Sequence, residues 1–549
     1  MLSIISFIGF TALVAVISWY STRKTDESSA DGFYLAGRSL GALTIAGSLL
    51  LTNLSAEQIV GLNGSAFKEG LMVMAWETLA AIAIICGAIF LLPKYLGSGI
   101  TTIPEFIETR FDKQTKALLS LLFLIAYAIV LLPTILYSGS LAFSTMFDLP
   151  EMLGISQNGV IWICVWSIGI IGVIYAIFGG LKAVAVSDLI NAIGLLIGGL
   201  LIPVFGLLLI GDGSIGEGLS TLFKTNPDKF NMRGAVDSSI PFGTLFTGMM
   251  LAQIYYWGTN QSILQRVFAA KSLKEGQKGM LLAAFVKFII PVVVVLPGII
   301  AWHVFEGNLD NADQAYPALV KKVLPTAFIG FFAAVLFGAV LSSFNSLLNS
   351  SATLFGFDLY KQYFKKDATE KETVKAGKKF GLIVATISML IAPFIANAPD
   401  GLFSYIQQSL GSLSVPILAV VLVGVYTKKV PAIGAKLVLS VGVVLYLISL
   451  IFLEPQFRGA AEAQAMASGI TDLSELSIIK AEAYPHYLHV MGILFVVNIL
   501  FMLLLGKIKP MKAEYTPKQT EIIDTTPWKH AITVSIIIAI LVITTYFIF

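Results

Sequence analysis

Thr52-Asn53-Leu54-Ser55-Ala56-Glu57-Gln58 sets five polar side chains within seven residues at the middle of an apolar stretch, residues 40 to 66, and Gly61, Asn63 and Gly64 follow it. In hydrocarbon every backbone N–H and C=O must find its partner inside the protein, so such a stretch is tolerated only against protein or a water-filled cavity. A membrane-spanning helix broken near its middle meets that demand. A matching interruption, Gln253-Ile254-Tyr255-Tyr256-Trp257-Gly258-Thr259-Asn260, falls within residues 240 to 264. The two interrupted spans lie five apart and run in opposite directions. That is the arrangement of an inverted five-helix repeat with its site at the midplane, where unwound carbonyls hold a cation and half-helix ends face the substrate.

Composition agrees with a bilayer as the solvent. Of 549 residues, 56% are apolar and only 13% charged, with a mean hydropathy of +0.85, whereas soluble domains carry about a quarter charged residues. Apolar runs long enough to cross hydrocarbon as helices predict about fourteen spans. They lie near 2–20, 40–66, 70–93, 117–147, 156–179, 184–211, 240–264, 279–303, 323–360, 380–398, 401–427, 431–453, 487–506 and 530–549. The fold class is therefore an all-α polytopic membrane protein.

Charge sets the topology. Arg23 and Lys24 follow the first apolar run rather than preceding it, the reverse of a signal peptide. With the N-terminus outside, most of the 36 Lys+Arg fall in cytoplasmic segments, as the positive-inside rule requires. The basic stretches 361–379, 266–278 and 507–518 read as solvated topology signals, and 462–479 as a helix-like patch in an external loop. Cys86 and Cys164 sit in apolar runs and read as packing residues.

Ionisable groups deep in spans are costly and mark a pathway or a site. Glu77 and Lys287 are two such groups, either a structural ion pair or one acceptor and one donor for a polyhydroxylated solute. Gln58, Gln253 and Gln407 add neutral donors and acceptors from three spans. Trp76, Tyr256, Trp257 and Phe403 offer stacking faces or gates. Ser342, Ser343 and Ser346 put hydroxyls on one side of the ninth span. Facing unwound carbonyls near Leu51 and Leu54, they would form the all-oxygen cage that a hard monovalent cation prefers.

Five motifs then carry a resemblance: Asn53-Leu54-Ser55-Ala56-Glu57-Gln58, Thr102-Ile103-Pro104-Glu105-Phe106, Gly179-Gly180-Leu181-Lys182-Ala183-Val184, Tyr255-Tyr256-Trp257-Gly258, and Ser342-Ser343 with Leu348-Asn349-Ser350. In this order they resemble the sodium:solute symporter family, its sugar branch, similar to the bacterial sodium/galactose symporter. The resemblance implies an extra N-terminal helix and loop (1–38), a ten-helix core (39–427, with repeats 39–211 and 240–427) and three C-terminal helices (428–549), with a sodium ion held by the backbone of Leu51, Leu54 and Ala339 and the hydroxyls of Ser342 and Ser343. It implies solute contacts at Gln58, Glu77, Lys287 and Gln407, an inner gate at Tyr256 supported by Asn53, and an outer lid of Leu62, Trp76 and Phe403. Asp188, Asn345 and Ser346 lie where some members hold a second sodium, although Asn345 departs from the hydroxyl residue found there. Ala80 and Gln253 replace a serine and an asparagine of the sugar pocket, and Trp76 and Leu62 replace a tyrosine and a methionine, changes that alter which hydroxyl epimer fits.

The expected function is sodium-coupled symport of a neutral sugar, a hexose or cyclitol, by alternating access in the cell (inner) membrane. The same fold carrying an amino acid or carboxylate is the alternative, though an anion calls for an unpaired core arginine, and the sequence shows none. An intramembrane enzyme is the remote one. His303, His486, His489 and His530 fall at span ends or in loops, no His-Glu-x-x-His pair occurs, and no phosphate-binding loop is present. The partners called for are sodium, a small sugar and the lipid bilayer, with no nucleic acid and no obligate protein partner.

Overall fold

The computed structural model describes residues 2–22, 35–309, 311–397, 402–517 and 523–548. Arg23 and Lys24 lie outside them, as do the span ends Ala398, Gly401 and Phe549 and the end of the third basic stretch at Lys518; of residues 177–184, which hold the Gly179–Val184 motif, only the backbone is described. The described chain is almost wholly helical, with two isolated bridges, Leu40 to Ala270 and Ser272 to Asp524, in place of sheet. Ten stretches are long and apolar enough to cross a membrane, and Leu273–Ile289 with Pro291–Val304, bent by 47°, makes an eleventh. Pro291 removes a backbone donor at that bend. The other three expected spans are the first helix, of 21 residues, and the two broken ones.

The elements that matter below are α1 (Leu2–Thr22), α2 (Ala42–Asn53), α3 (Ala56–Glu69), α4 (Ala75–Cys86), α5 (Gln157–Ile210), α6 (Gly248–Gly258), α7 (Gln261–Phe268), α8 (Leu273–Ile289), α9 (Thr326–Thr353), α10 (Leu402–Tyr426) and α11 (Tyr487–Ile508). The first break falls at Leu54 and Ser55, the second of which is extended at φ −89°, ψ −179°. The second falls at Thr259 and Asn260, at the far end of the stretch singled out in the sequence. Gln253 and Tyr256 are therefore on intact helix. Asn260 caps α7 by accepting from the Ser262 N–H and also accepts from the Tyr127 hydroxyl at 2.9 Å.

Two expectations are corrected and a third, the helix-like patch, is sharpened. The loop foreseen between the spans ending at 179 and starting at 184 is helical backbone, continuous in α5 for 54 residues. The chain nevertheless reverses there. Twelve residues of straight helix rise about 18 Å, yet the Tyr175 and Ser187 hydroxyls are bonded at 2.8 Å. Arg266, read as part of a solvated basic stretch, is fully buried, as is Arg110. The Arg266 guanidinium donates to Ser262 O at 2.5 Å and to Ser346 Oγ, because α7 tucks beneath α9. The external patch near 462–479 is two helices, Glu454–Ala467 and Leu473–Ala483, joined by Lys480 on Glu462 at 2.9 Å.

Helix α9 is central, packed against α5, α1 and α2, and α2 packs in turn on α5 and α8. The C-terminal end of α3 is tied down by a residue remote in sequence. The Lys229 ammonium donates to the terminal carbonyls of Phe67 (3.0 Å) and Lys68 (2.5 Å) and lies 3.6 Å over the Trp302 ring. This satisfies acceptors that a helix end leaves open. The close approach depends on Gly70, at φ +83°, where a Cβ would sit 2.3 Å from Lys229 O. Gly70→Ala is expected to lower stability by about 1–3 kcal/mol from backbone strain alone, with the clash added. Thermal unfolding of the purified protein checks this, and an unchanged Tm would rule it out.

Candidate functional site

Between the two breaks lies a cavity of about 740 Å³ of atom-free space, part of it open to solvent. Each wall comes from a different element. α2 and α3 present Asn53, Glu57 and Gln58; α4 presents Trp76, Glu77 and Ala80; α6 presents Gln253 and Tyr256; α8 presents Lys287; and α10 presents Phe403 and Gln407. Met491 of α11 closes one side, so a C-terminal helix contributes to the wall of the core.

The centre of this cavity is a carboxylate engaged twice. Glu77 Oε1 accepts from Gln58 Nε2 at 2.7 Å, and Glu77 Oε2 accepts from the Lys287 ammonium. Glu77 and Lys287 are both fully buried. A buried ion pair offsets its desolvation only with good geometry and further hydrogen bonds, and Gln58 supplies one. Two of the three ammonium protons of Lys287 and one face of each glutamine amide remain for a ligand. The Lys287 ammonium also lies 5.7 Å from the centre of the Trp257 ring.

The aromatic residues take two positions. Trp76 and Phe403 meet edge to face with centroids 5.4 Å apart, both buried, across one side of the cavity. Tyr256 lines it and packs edge to face on Trp257 at 5.3 Å. The Asn53 side chain contacts the Tyr256 hydroxyl. Leu62 and Trp257 do not line the cavity. Leu62 is buried in α3, and Trp257 stands behind Tyr256. Gln253 lines it while donating to Trp76 O at 2.7 Å, which ties α6 to α4.

Of the expected cation ligands, the Ser343 hydroxyl and the Leu51 carbonyl come together. Leu51, Leu54, Ala339, Ser342 and Ser343 are all buried. The break deprives the last carbonyls of α2 of their helical donors. Ser343 Oγ meets them, donating to Thr52 O at 3.1 Å and Leu51 O at 3.4 Å. Neutral oxygens gathered around unwound backbone suit an unhydrated monovalent cation. Nearby, Asp188 Oδ2 accepts from Ser48 Oγ at 2.7 Å, both amide atoms of Asn345 are buried without a hydrogen-bond partner, and Ser346 accepts from Arg266.

One charged residue of the cavity has no role in the sequence reading: Glu57. Its Oε2 is buried and unbonded. A carboxylate in the first turn of a half-helix reads as a complement to the helix dipole, so nothing in the local pattern sets it apart.

A model of the sodium:solute symporter family matches residues 33–442. Over 529 residues the chain is 44% identical to the uncharacterized symporter YidK of Escherichia coli (strain K12), an alignment covering 96% of this chain and 88% of that one. It is 36% identical over 464 residues to the sodium/glucose cotransporter of Vibrio parahaemolyticus, covering 79% and 83%. Among solved structures, a Na+-coupled sialic acid symporter in a substrate-bound outward-open state aligns with a TM-score of 0.68 at 20% identity, over 91% of this chain and 98% of that one; this likeness is one of fold.

Proposed function

The chain belongs to the sodium:solute symporter family, a multi-pass membrane transporter rather than an enzyme, and from that premise we propose that it carries sodium together with a neutral, hydroxyl-rich solute, a hexose or a cyclitol, by alternating access. The observation that carries the solute class is Glu77, held between Gln58 and Lys287 at the centre of the cavity. A charge-neutral pair flanked by amides offers acceptors and donors without favouring a charged ligand. Gln58, Glu77, Gln253, Lys287 and Gln407 are the proposed solute contacts. Trp76 and Phe403 form the outer lid, with Leu62 behind it; Tyr256, supported by Asn53 and backed by Trp257, is the inner gate.

Sodium is assigned to Leu51, Leu54, Ala339, Ser342 and Ser343. The second position, Asp188 with Asn345 and Ser346, is kept out of the proposal because the Arg266 guanidinium already faces Ser346. Arg266 does not line the solute cavity either, so the core arginine gives no support to an anionic solute. The loop charges favour the cell (inner) membrane with the N-terminus outside. Each sodium ion moving inward then gains about 2.3 kcal/mol per 100 mV, enough to sustain a solute ratio of roughly fifty-fold.

Radiolabelled galactose, glucose and inositol uptake into proteoliposomes tests the reading, with sodium or potassium outside. Uptake of at least one of them that needs sodium is expected. Sodium-driven uptake of none of these, or of any other neutral sugar, would overturn the solute assignment and leave the family membership standing.

A further inference from the structure

Five neutral oxygens make up the proposed sodium site, and this leaves a charge to account for. A monovalent ion buried in protein without an opposite charge nearby bears a large desolvation cost, and dipoles alone offset only part of it. Several carboxylates with buried oxygens lie in the surrounding interior. Glu77 is paired with the Lys287 ammonium. Asp188 lies within electrostatic reach of Arg266 and accepts from Ser48. Farther toward the cytoplasmic end, Asp358 is paired with Lys116 at 3.1 Å. Glu57 has no cationic partner among the described residues, and its Oε2 is buried without a hydrogen bond. It stands in the first turn of α3, three residues beyond Leu54, whose carbonyl is a proposed ligand, and it also lines the solute cavity.

We propose that Glu57 is the countercharge of the transported sodium ion. The unloaded carrier then holds one uncompensated negative charge at the helix break, and sodium neutralises it. Because the same carboxylate forms part of the solute cavity, its neutralisation also removes a bare charge from the wall against which the solute must pack. Ion binding thereby prepares the cavity for an uncharged ligand. This inference rests on the sodium site assigned above.

The full-length protein tests it with two variants. Glu57→Gln keeps the size of the side chain and removes its charge, and Glu57→Asp keeps the charge. In proteoliposomes the sodium concentration giving half-maximal solute uptake is expected to rise roughly ten- to hundredfold in Glu57→Gln, the order set by one unit charge several Å away at an effective dielectric constant of about 20. That shift in sodium dependence is expected whatever the solute KM does, because Glu57 also lines the solute cavity, and Glu57→Asp should remain close to wild type. Infrared difference spectra of the wild-type protein, sodium against potassium with no solute present, should show a shifted carboxylate band that Glu57→Gln loses.

An unmoved sodium dependence in Glu57→Gln would overturn the proposal. So would a rise in solute KM alone, which would make Glu57 a solute contact, or a carboxylate band retained in the variant. Should neither variant fold, a wild-type spectrum without any carboxylate change would overturn it by itself. A wild-type protein with no sodium response in either measurement would bring down the symport reading first, and this inference with it.

Discussion

Lys287→Met is expected to abolish solute uptake and to cost about 3–5 kcal/mol of stability, the penalty for leaving one member of a buried ion pair uncompensated. The carboxylate left behind is Glu77, fully buried, with only Gln58 still donating to it. The informative step is the second substitution. Adding Glu77→Gln removes the stranded charge, so most of the lost stability should return. Uptake should not return, because both solute-facing groups are gone. Thermal unfolding and uptake measured on the same three proteins separate the two roles of the pair. A double variant that is stable and still transports would reduce Glu77 and Lys287 to a structural pair and move the solute contacts onto the glutamines.

Ser343→Ala is the second large effect. The serine hydroxyl is poised between the carbonyls of Leu51 and Thr52, to which it donates at 3.4 and 3.1 Å. With an ion in place, the hydroxyl turns a lone pair toward it. Interactions of this kind with a charged group contribute about 1.5–3 kcal/mol, so the sodium concentration for half-maximal uptake should rise roughly 10- to 150-fold. The fold should lose little, since only one hydroxyl is removed. Sodium titration of uptake checks this; a sodium dependence that does not move would take Ser343 out of the ion site.

Much of this site was legible from the chain alone, for a physical reason. Polar side chains at mid-span are so costly in hydrocarbon that a cluster at 52–58 announces a cavity or a protein interior before any coordinates exist. The same argument picked out Glu77 and Lys287, and these two residues meet across 210 positions of sequence. Fold class and family stood on similar ground, and the family match supports both.

What escaped depended on contacts that no local pattern encodes. Arg266 sits in a run of charges that reads as a solvated loop. Its burial follows from a partner 80 residues away, Ser346, and from the packing of a half-helix that a propensity argument does not place. Glu57 escaped for the converse reason. Its helix-start position is ordinary, and its lack of a cation shows only after Lys287 and Arg266 have been matched to other carboxylates. The reversal inside α5 was foreseen, but its helical backbone escaped, because a loop is the usual connection between two spans.

The break at Leu54 also bears on how such a carrier diversifies. Three of the five oxygens assigned to the ion belong to the main chain, at Leu51, Leu54 and Ala339, and a carbonyl survives almost any exchange of the side chain beside it. The solute cavity, by contrast, is lined by side chains, each of which one codon change can replace. Mutation thus reaches the two halves of the machine unequally. A lineage can retune what it carries at Ala80, Gln253 or Gln407 while the helix break goes on supplying the means by which the carrier is driven.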